Sequence, residues 1–365
     1  MCKNRRGSII EFMKTKVLQI NENEIGQEAE IKKIEEAGEI LRSGGLVAFP
    51  TETVYGLGGD ALHKEGAKKI YKAKGRPSDN PLIIHIIRLE DLSRIVTGVT
   101  PIIEKLLDRF WPGPLTIILK KTEEVPYETS GGLDTVAIRM PDHKIARAII
   151  DSGGGFIAAP SANTSGKPSP TSAAHVVDDL SGRIDMVVDG GEVEIGVEST
   201  ILDLTVEPPM ILRPGAITKE MLEEILPKVV DDPGFQKENE RQSPKAPGMK
   251  YRHYAPKATL YIVSGKSDEA VDKINQLAAA DTKRGLKVGI IGTKENMEQY
   301  SEGVIKCIGS RKSGIDIARH LYKVLREFDT EEVDVIYSES FEESGIGKAI
   351  MNRLLKAASH QIINS

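Results

Sequence analysis

LVAFPTETVYGLGGDA, residues 46–61, joins a short apolar run to a polar, glycine-rich one. LVAFP has the length and continuous apolarity of a buried strand, and TETVYGLGGDA reads as a glycine-rich turn behind it. Upstream, Ile31, Ile34, Ala37, Ile40 and Leu41 recur at helical spacing until Gly44-Gly45 stops them, which predicts a helix over 27–43. Downstream, 64–74 is predicted helical as far as Gly75, and LIIHII (82–87) is a strand. A helix over 101–110, the turn WPGP with Trp111 as its anchor, and strands over 115–119 and 135–140 follow. Then come a helix over 143–151, the strand FIAAP (156–160), a helix over 171–180, and the β segments MVVDGG, VESTILDL and MILRPG. This irregular alternation predicts an α/β unit on a mixed sheet over 15–226, with residues 1–14 as an N-terminal extension.

Past that point the composition changes. Residues 228–241 are charged and lack periodicity, and RQSPKAPGMKYRHYAPK (241–257) holds five Lys/Arg, no acid, three Pro and two Tyr. Residues 227–257 therefore read as a linker. After it, strands at TLYIV, KVGIIG, VIKCIG and VDVIYS alternate with helices over 267–279 and 314–328 and a short helix between KVGIIG and VIKCIG, and a last helix comes after GIGKA. That βαβ pattern predicts a small, Rossmann-like three-layer domain with a parallel sheet over 258–365.

Bulk properties narrow the function classes. The 365 residues are 39% apolar and 28% charged, enough for two globular domains with sizeable cores. A net charge of −5 argues against wholesale nucleic-acid binding and leaves room for a local basic patch. Two cysteines, Cys2 and Cys307, give neither a disulfide scaffold nor a CxxC zinc site. No apolar run approaches the roughly 18 residues of a membrane span. The N-terminus lacks the apolar core of a signal peptide, so a cytoplasmic protein without a membrane partner is expected.

Common nucleotide-binding motifs are missing. Gly265-Lys266-Ser267 lacks the upstream glycine of a Walker loop, and the loose pattern Gly153, Gly155, Ala158 precedes a strand instead of coming after one. The sequence offers instead four polar clusters at predicted strand ends. Thr51, Glu52, Thr53 and Tyr55 follow LVAFP; Lys74, Arg76, Ser78 and Asn80 precede LIIHI; Ser161, Asn163, Thr164 and Ser165 follow FIAAP; Glu198, Ser199 and Thr200 follow Gly196. Hydroxyl and glycine-rich loops can cradle anions, and Lys74, Arg76, Arg139 and Arg213 can add charge-assisted bonds to phosphates or a carboxylate. Each cluster also has a plain reading: turn chemistry for the hydroxyls, helix-dipole complementation for Lys74 and Arg76, a core histidine at His85. Arg139, in an otherwise apolar strand, requires a partner.

Taken in order, PTETVYGLGGDA, KGRPSDNPLIIHI, FWPGPLTIIL, VAIRMPDH, AAPSANTSGKPSPT, GVESTILDL and LRPGAI resemble the YrdC-like threonylcarbamoyl-AMP synthases. The likeness covers about residues 30–220. SPKAPGMKYRHYAP and the C-terminal segment after it resemble the family's long form, which carries an extra Rossmann-like domain. The resemblance implies an open, twisted mixed-sheet domain around a concave site. It implies an enzyme, a nucleotidyltransferase that forms L-threonylcarbamoyladenylate and pyrophosphate from L-threonine, bicarbonate or CO2, and ATP with Mg2+. The product would feed N6-threonylcarbamoyladenosine modification of tRNA, by way of tRNA contact and downstream transfer proteins.

By the same resemblance, the family's K-x-R and S-x-N signature is Lys74, Arg76, Ser161 and Asn163, the expected catalytic set. Arg76, Asn80, Thr135, Ser161, Ser169 and Arg213 are expected at ATP. Thr53, His85, Arg139 and Ser199 are expected at threonine. The linker is expected to cover the site and bring Tyr251 or Tyr254 to the nucleotide. A non-catalytic RNA-binding protein using a basic concave surface is the rival reading; it predicts salt-sensitive RNA affinity without ATP turnover.

Overall fold

The structure, a computed structural model, describes residues 14–235, 244–247 and 254–365. Its larger part is one mixed sheet. Strand order runs Lys16–Gln19, Met186–Asp189, Val47–Phe49, Gly56–Asp60, Ile157–Ala158, Ile83–His85, Thr135–Arg139, Leu115–Lys121, Thr200–Asp203, Met210–Arg213 and Val230–Asp231, with Val96–Thr97 pairing beside Leu115–Lys121. The last strand lies a few residues beyond the expected 15–226. The core joins strand residues such as Leu57, Ile84, Ile117 and Ile138 to Ile70, Leu106, Phe110 and Val176 from the helices. Helices Glu28–Arg42 and Lys144–Ser152 close a second cluster through Ile34, Leu41, Ile145 and Ile149. Trp111 is buried as expected, its indole N–H donating to the Leu115 carbonyl at 2.7 Å.

The stretch GLGGD differs from its reading as a turn. Gly56–Asp60 is a buried strand, antiparallel to Val47–Phe49 on one side and to Ile157–Ala158 on the other. Glycine stands there because the neighbours leave no room: a Cβ on Gly58 would lie 2.7 Å from Phe49 Cε1 and 3.1 Å from the Val47 carbonyl oxygen. Close approach, not turn chemistry, accounts for the glycines.

The two antiparallel steps beside Gly56–Asp60 and Ile157–Ala158 have a second consequence. Val47–Phe49 and Ile157–Ala158 run one way, while Ile83–His85 and Thr135–Arg139 run the other. The loops after Phe49 and Ala158 and the loop before Ile83 therefore share one edge of the sheet, while Arg139 and Ser199, just before Thr200–Asp203, lie toward the other. A site drawing on all of them must lie across a sheet face. Alternation supplies that face: Ile83 and His85 point to one side, and Arg139 sits in register with His85. Beside it Ile83, Ile118, Ala137, Ile201 and Leu212 form a small apolar cluster that Ala246 of the linker covers.

The C-terminal part is a separate, all-parallel sheet in the order Val304–Cys307, Val288–Gly292, Val335–Glu339, Thr259–Ser264, Ile362–Asn364. Helix Ser267–Lys283 covers the face carrying Val263, Val288, Ile290 and Tyr337. Helices Gly314–Glu331 and Ile346–Ala357 cover the face carrying Leu260, Ile262, Ile291 and Ile336. The three-layer expectation therefore holds. The closing strand Ile362–Asn364 was not foreseen, because its exposed edge position gives IIN no alternating pattern.

Candidate active site

Lys74, Arg76, His85, Arg139, Ser161, Asn163, Ser169, Ser199 and Arg213 line one cavity with Val54, Glu198, Pro247 and Tyr254. Its free volume is about 50 Å³. Residues expected at the site from four distant segments are thus brought together. Thr53 is buried behind the wall, its hydroxyl 2.9 Å from that of Thr51. Asn80 is buried next to Arg76, which donates to the Asn80 carbonyl, and neither atom of the Asn80 side-chain amide has a partner among the described residues. Thr135 begins the strand that ends at Arg139; it is half-buried and does not line the cavity. Tyr251 lies outside the described residues.

The cations of the cavity direct their hydrogen bonds to neutral oxygens. Helix Lys64–Lys74 ends at Gly75 in the left-handed conformation (φ 61°), which turns the chain so that Lys74 and Arg76 both face inward. The Lys74 ammonium donates to the carbonyls of Ser161 and Asn163, the latter at 2.6 Å, and lies 3.3 Å from Asn163 Oδ1. Arg76 donates from Nε to the Asn80 carbonyl and from Nη2 to that of Pro81. Arg213 donates to the Ser199 carbonyl at 3.0 Å, to its hydroxyl at 3.1 Å and to the Pro247 carbonyl at 3.4 Å. Burial drives the Lys74 pKa well below the usual ammonium range, with Arg76 beside it adding to the effect. Burial likewise brings Arg76 down to about 10 and lowers Arg213. Three buried cations bonded in this way favour an anion among them.

The S-x-N pair is preset by short bonds. Ser161 donates to Asn163 Oδ1 at 2.6 Å, and the Asn163 amide donates to the carbonyls of Thr164 and Lys167. On the opposite wall, Arg139 meets Glu52 at 2.7 Å, both almost fully buried. His85 is neutral: burial, then neighbouring Arg139, lowers its pKa to about 3. Ser199 shares a 2.7 Å hydrogen bond with Thr116.

Two residues that contact the cavity wall come from where sequence reasoning did not look. Tyr322 and Arg353, in the C-terminal helices, are wholly buried against Glu198. A signal existed. Arg353 interrupts the buried helical run of Ile350, Leu354 and Ala357, where a charge requires a partner.

The family model described as Telomere recombination (Sua5/YciO/YrdC) matches residues 39–215, and that of the threonylcarbamoyl-AMP synthase C-terminal domain matches residues 217–359. The threonylcarbamoyl-AMP synthase of Pyrococcus abyssi is 49% identical across 91% of this chain and 95% of its own length. That of Bacillus subtilis is 49% identical across 91% and 94%. The crystal structure of P. abyssi Sua5 complexed with L-threonine superposes with a TM-score of 0.90 at 46% identity, covering 96% of this chain and all of that one. With both halves matched and the relatives aligned over nearly their whole length, the chain belongs to the threonylcarbamoyl-AMP synthase family.

Proposed function

We propose that this protein is an L-threonylcarbamoyladenylate synthase that joins L-threonine, bicarbonate or CO2, and ATP. The observation that carries the reading is the trio of Lys74, Arg76 and Arg213, buried around one cavity with only neutral hydrogen-bond acceptors. Glu198 in the same cavity offsets Arg213 only in part, since Arg353 also pairs with it, and a polyphosphate supplies the remaining charge. Arg139, across the cavity, suits the threonine carboxylate.

The reaction proceeds in two steps. Threonine's amine takes up CO2, losing a proton, or bicarbonate, losing water, to form a carbamate. A carbamate oxygen then attacks the α-phosphorus of ATP, and the bond to the β-phosphate oxygen breaks to release pyrophosphate. No protein nucleophile is needed, so catalysis is positioning and charge neutralisation. Lys74 and Arg76 face the phosphates; Ser161 and Asn163 orient phosphate and carbamate oxygens; Arg213, Ser169, Asn80, Thr135 and Tyr254 hold the nucleotide. Thr53, His85 and Ser199 join Arg139 around threonine. Among the described residues no group of three or more His, Cys, Asp or Glu could hold a metal. We assign Mg2+ to the triphosphate of the ATP substrate. The product's mixed anhydride hydrolyses readily, which suits a buried site. We assign the product to tRNA modification in the cytoplasm, by transfer proteins acting downstream. No helix among the described residues is long and apolar enough to cross a membrane.

The RNA-binding rival is not favoured, because these cations are buried in a closed cavity and not spread along an exposed groove. The test is pyrophosphate release from Mg-ATP with and without threonine and bicarbonate. Release that requires both is expected, and Arg76→Ala is expected to abolish it. Release indifferent to threonine would sink the reading.

A further inference from the structure

Helix Gly314–Glu331 of the C-terminal part lies against two active-site loops. The fit is close: a Cβ on Gly196 (φ 84°) would lie 2.4 Å from Arg319 Cα, so only glycine lets the helix backbone seat there. From that helix Tyr322 donates to both oxygens of Glu198, at 3.1 and 2.9 Å. One turn on, Arg326 donates to the Pro168 carbonyl at 2.5 Å and to Asp179 at 2.9 Å. From helix Ile346–Ala357, Arg353 Nε donates to Glu198 Oε2 at 2.9 Å. The catalytic half supplies the remaining bond, from the Ser169 hydroxyl to Glu198 Oε1 at 2.5 Å.

Glu198 is thus a junction. Burial alone would raise its pKa, but Arg353 and Arg213 outweigh burial and hold it down to about 2. An ionised carboxylate only accepts, so Tyr322 and Ser169 must both donate to it. Ser169 then meets a ligand with its lone pairs. The same two C-terminal residues also grip Tyr254: its ring stacks on Tyr322 with centroids 5.2 Å apart, and the Arg353 guanidinium sits 5.8 Å from its centre. A buried ion pair rarely adds net stability over an apolar contact, so fold stability alone is a weak reason for this one. Its partners point elsewhere, since Ser169 and Tyr254 line the cavity and Glu198 adjoins Ser199.

We propose that Arg353 and Tyr322 are positioning residues for the nucleotide end of the active site, acting on Ser169 through Glu198 and on Tyr254 directly. The proposal rests on the reading that Ser169 and Tyr254 meet ATP. It gives the C-terminal part a defined role, completion of the wall against which ATP binds.

The experiment uses the full chain with Tyr322→Phe, which keeps the ring and removes one donor, Ser169→Ala, and the double variant. Pyrophosphate release gives separate KM values for ATP and threonine, calorimetry gives ATP affinity, and a thermal melt reports the fold. Loss of a donor to a buried charge is worth about tenfold, so Tyr322→Phe is expected to raise the KM for ATP by about that factor. The KM for threonine is expected to rise clearly less, because Tyr322 reaches Ser169 and Tyr254 and bonds directly to no residue assigned to threonine. The double variant is expected to bind ATP no worse than Ser169→Ala alone, because both changes act through one carboxylate. Arg353→Lys, which keeps the charge and loses the fork, is expected to behave like Tyr322→Phe. An unchanged KM for ATP, equal rises for ATP and threonine, or fully multiplying effects would each overturn the proposal. If the unsubstituted chain releases no pyrophosphate, the synthase reading falls. Calorimetric ATP affinities of the same variants still decide the positioning claim.

Discussion

Arg139 and Glu52 show how a single buried pair can be both charged and loosely held. They meet in an ion pair, yet both Glu52 oxygens and Arg139 Nη2 lack a well-aligned hydrogen bond among the described residues. Such a pair leaves room for a substrate carboxylate to compete for the guanidinium. Arg139→Ala is therefore expected to raise the KM for threonine about a hundredfold or more, as for loss of a buried charged contact, with the KM for ATP unchanged. Steady-state titration of each substrate checks this. His85 gives a pH signature. Its pKa falls from 6.5 to about 3 on folding, so between those values the unfolded chain carries a proton that the native one does not. The sign follows: this contribution to stability is complete above about pH 6.5 and is lost as pH falls toward 3. His85→Asn is expected to flatten that part of a melting-temperature profile. His85 itself was visible in the sequence as a polar break in LIIHII, whereas its neutrality was not, because that depends on Arg139 one strand away.

At the scale of elements, the helices were read well and GLGGD was not. Helical spacing and a terminal glycine are local signals, and Glu28–Arg42, Lys64–Lys74 and Pro101–Phe110 lie within a residue or so of the expected spans. Gly56–Asp60 forms a strand because Phe49, Ile157 and Ile70 crowd it from neighbouring elements, which no local window contains. Tertiary packing overrides the low strand propensity of glycine there. The cost of the crowding can be measured. Gly58→Ala places a methyl 2.7 Å from Phe49 Cε1 and 3.1 Å from both Ile157 Cγ2 and the Val47 carbonyl. Overpacking of this kind costs about 1–3 kcal/mol, which urea unfolding should register as a lower midpoint with an unchanged slope. Because Gly56 bridges to Ser161, the same substitution is expected to lower turnover as well. Unchanged stability would mean that Phe49 and Ile157 can retreat, and that the glycines are not kept for close approach.

For the whole molecule, the sequence announced two units and a linker but not how they combine. Contacts between segments more than a hundred residues apart leave no periodicity to read, and Val54 and Val197 share a core with Leu321, Tyr322 and Tyr254. That shared core closes the site. Ligand cavities for molecules of drug size run to about 300–1,000 Å³, and the free volume here is about 50 Å³. Pro247 and Tyr254 stand in the wall of this cavity, and making room for ATP requires them to move. Arg213 holds the Pro247 carbonyl, and Tyr254 is wedged beside Tyr322 with a left-handed backbone (φ 64°). That conformation costs a non-glycine residue about 1–3 kcal/mol, so displacement of Tyr254 releases strain while it breaks the stack. Binding must then follow or drive a rearrangement, and its rate cannot rise without limit. In a stopped-flow experiment the observed rate of ATP binding is expected to level off as ATP increases. Tyr254→Ala is expected to raise that plateau by removing the wedge, and to weaken affinity by removing a ring that would face the nucleotide. A rate that climbs linearly with ATP in the unsubstituted protein would mean that the closed cavity is not the state ATP meets first.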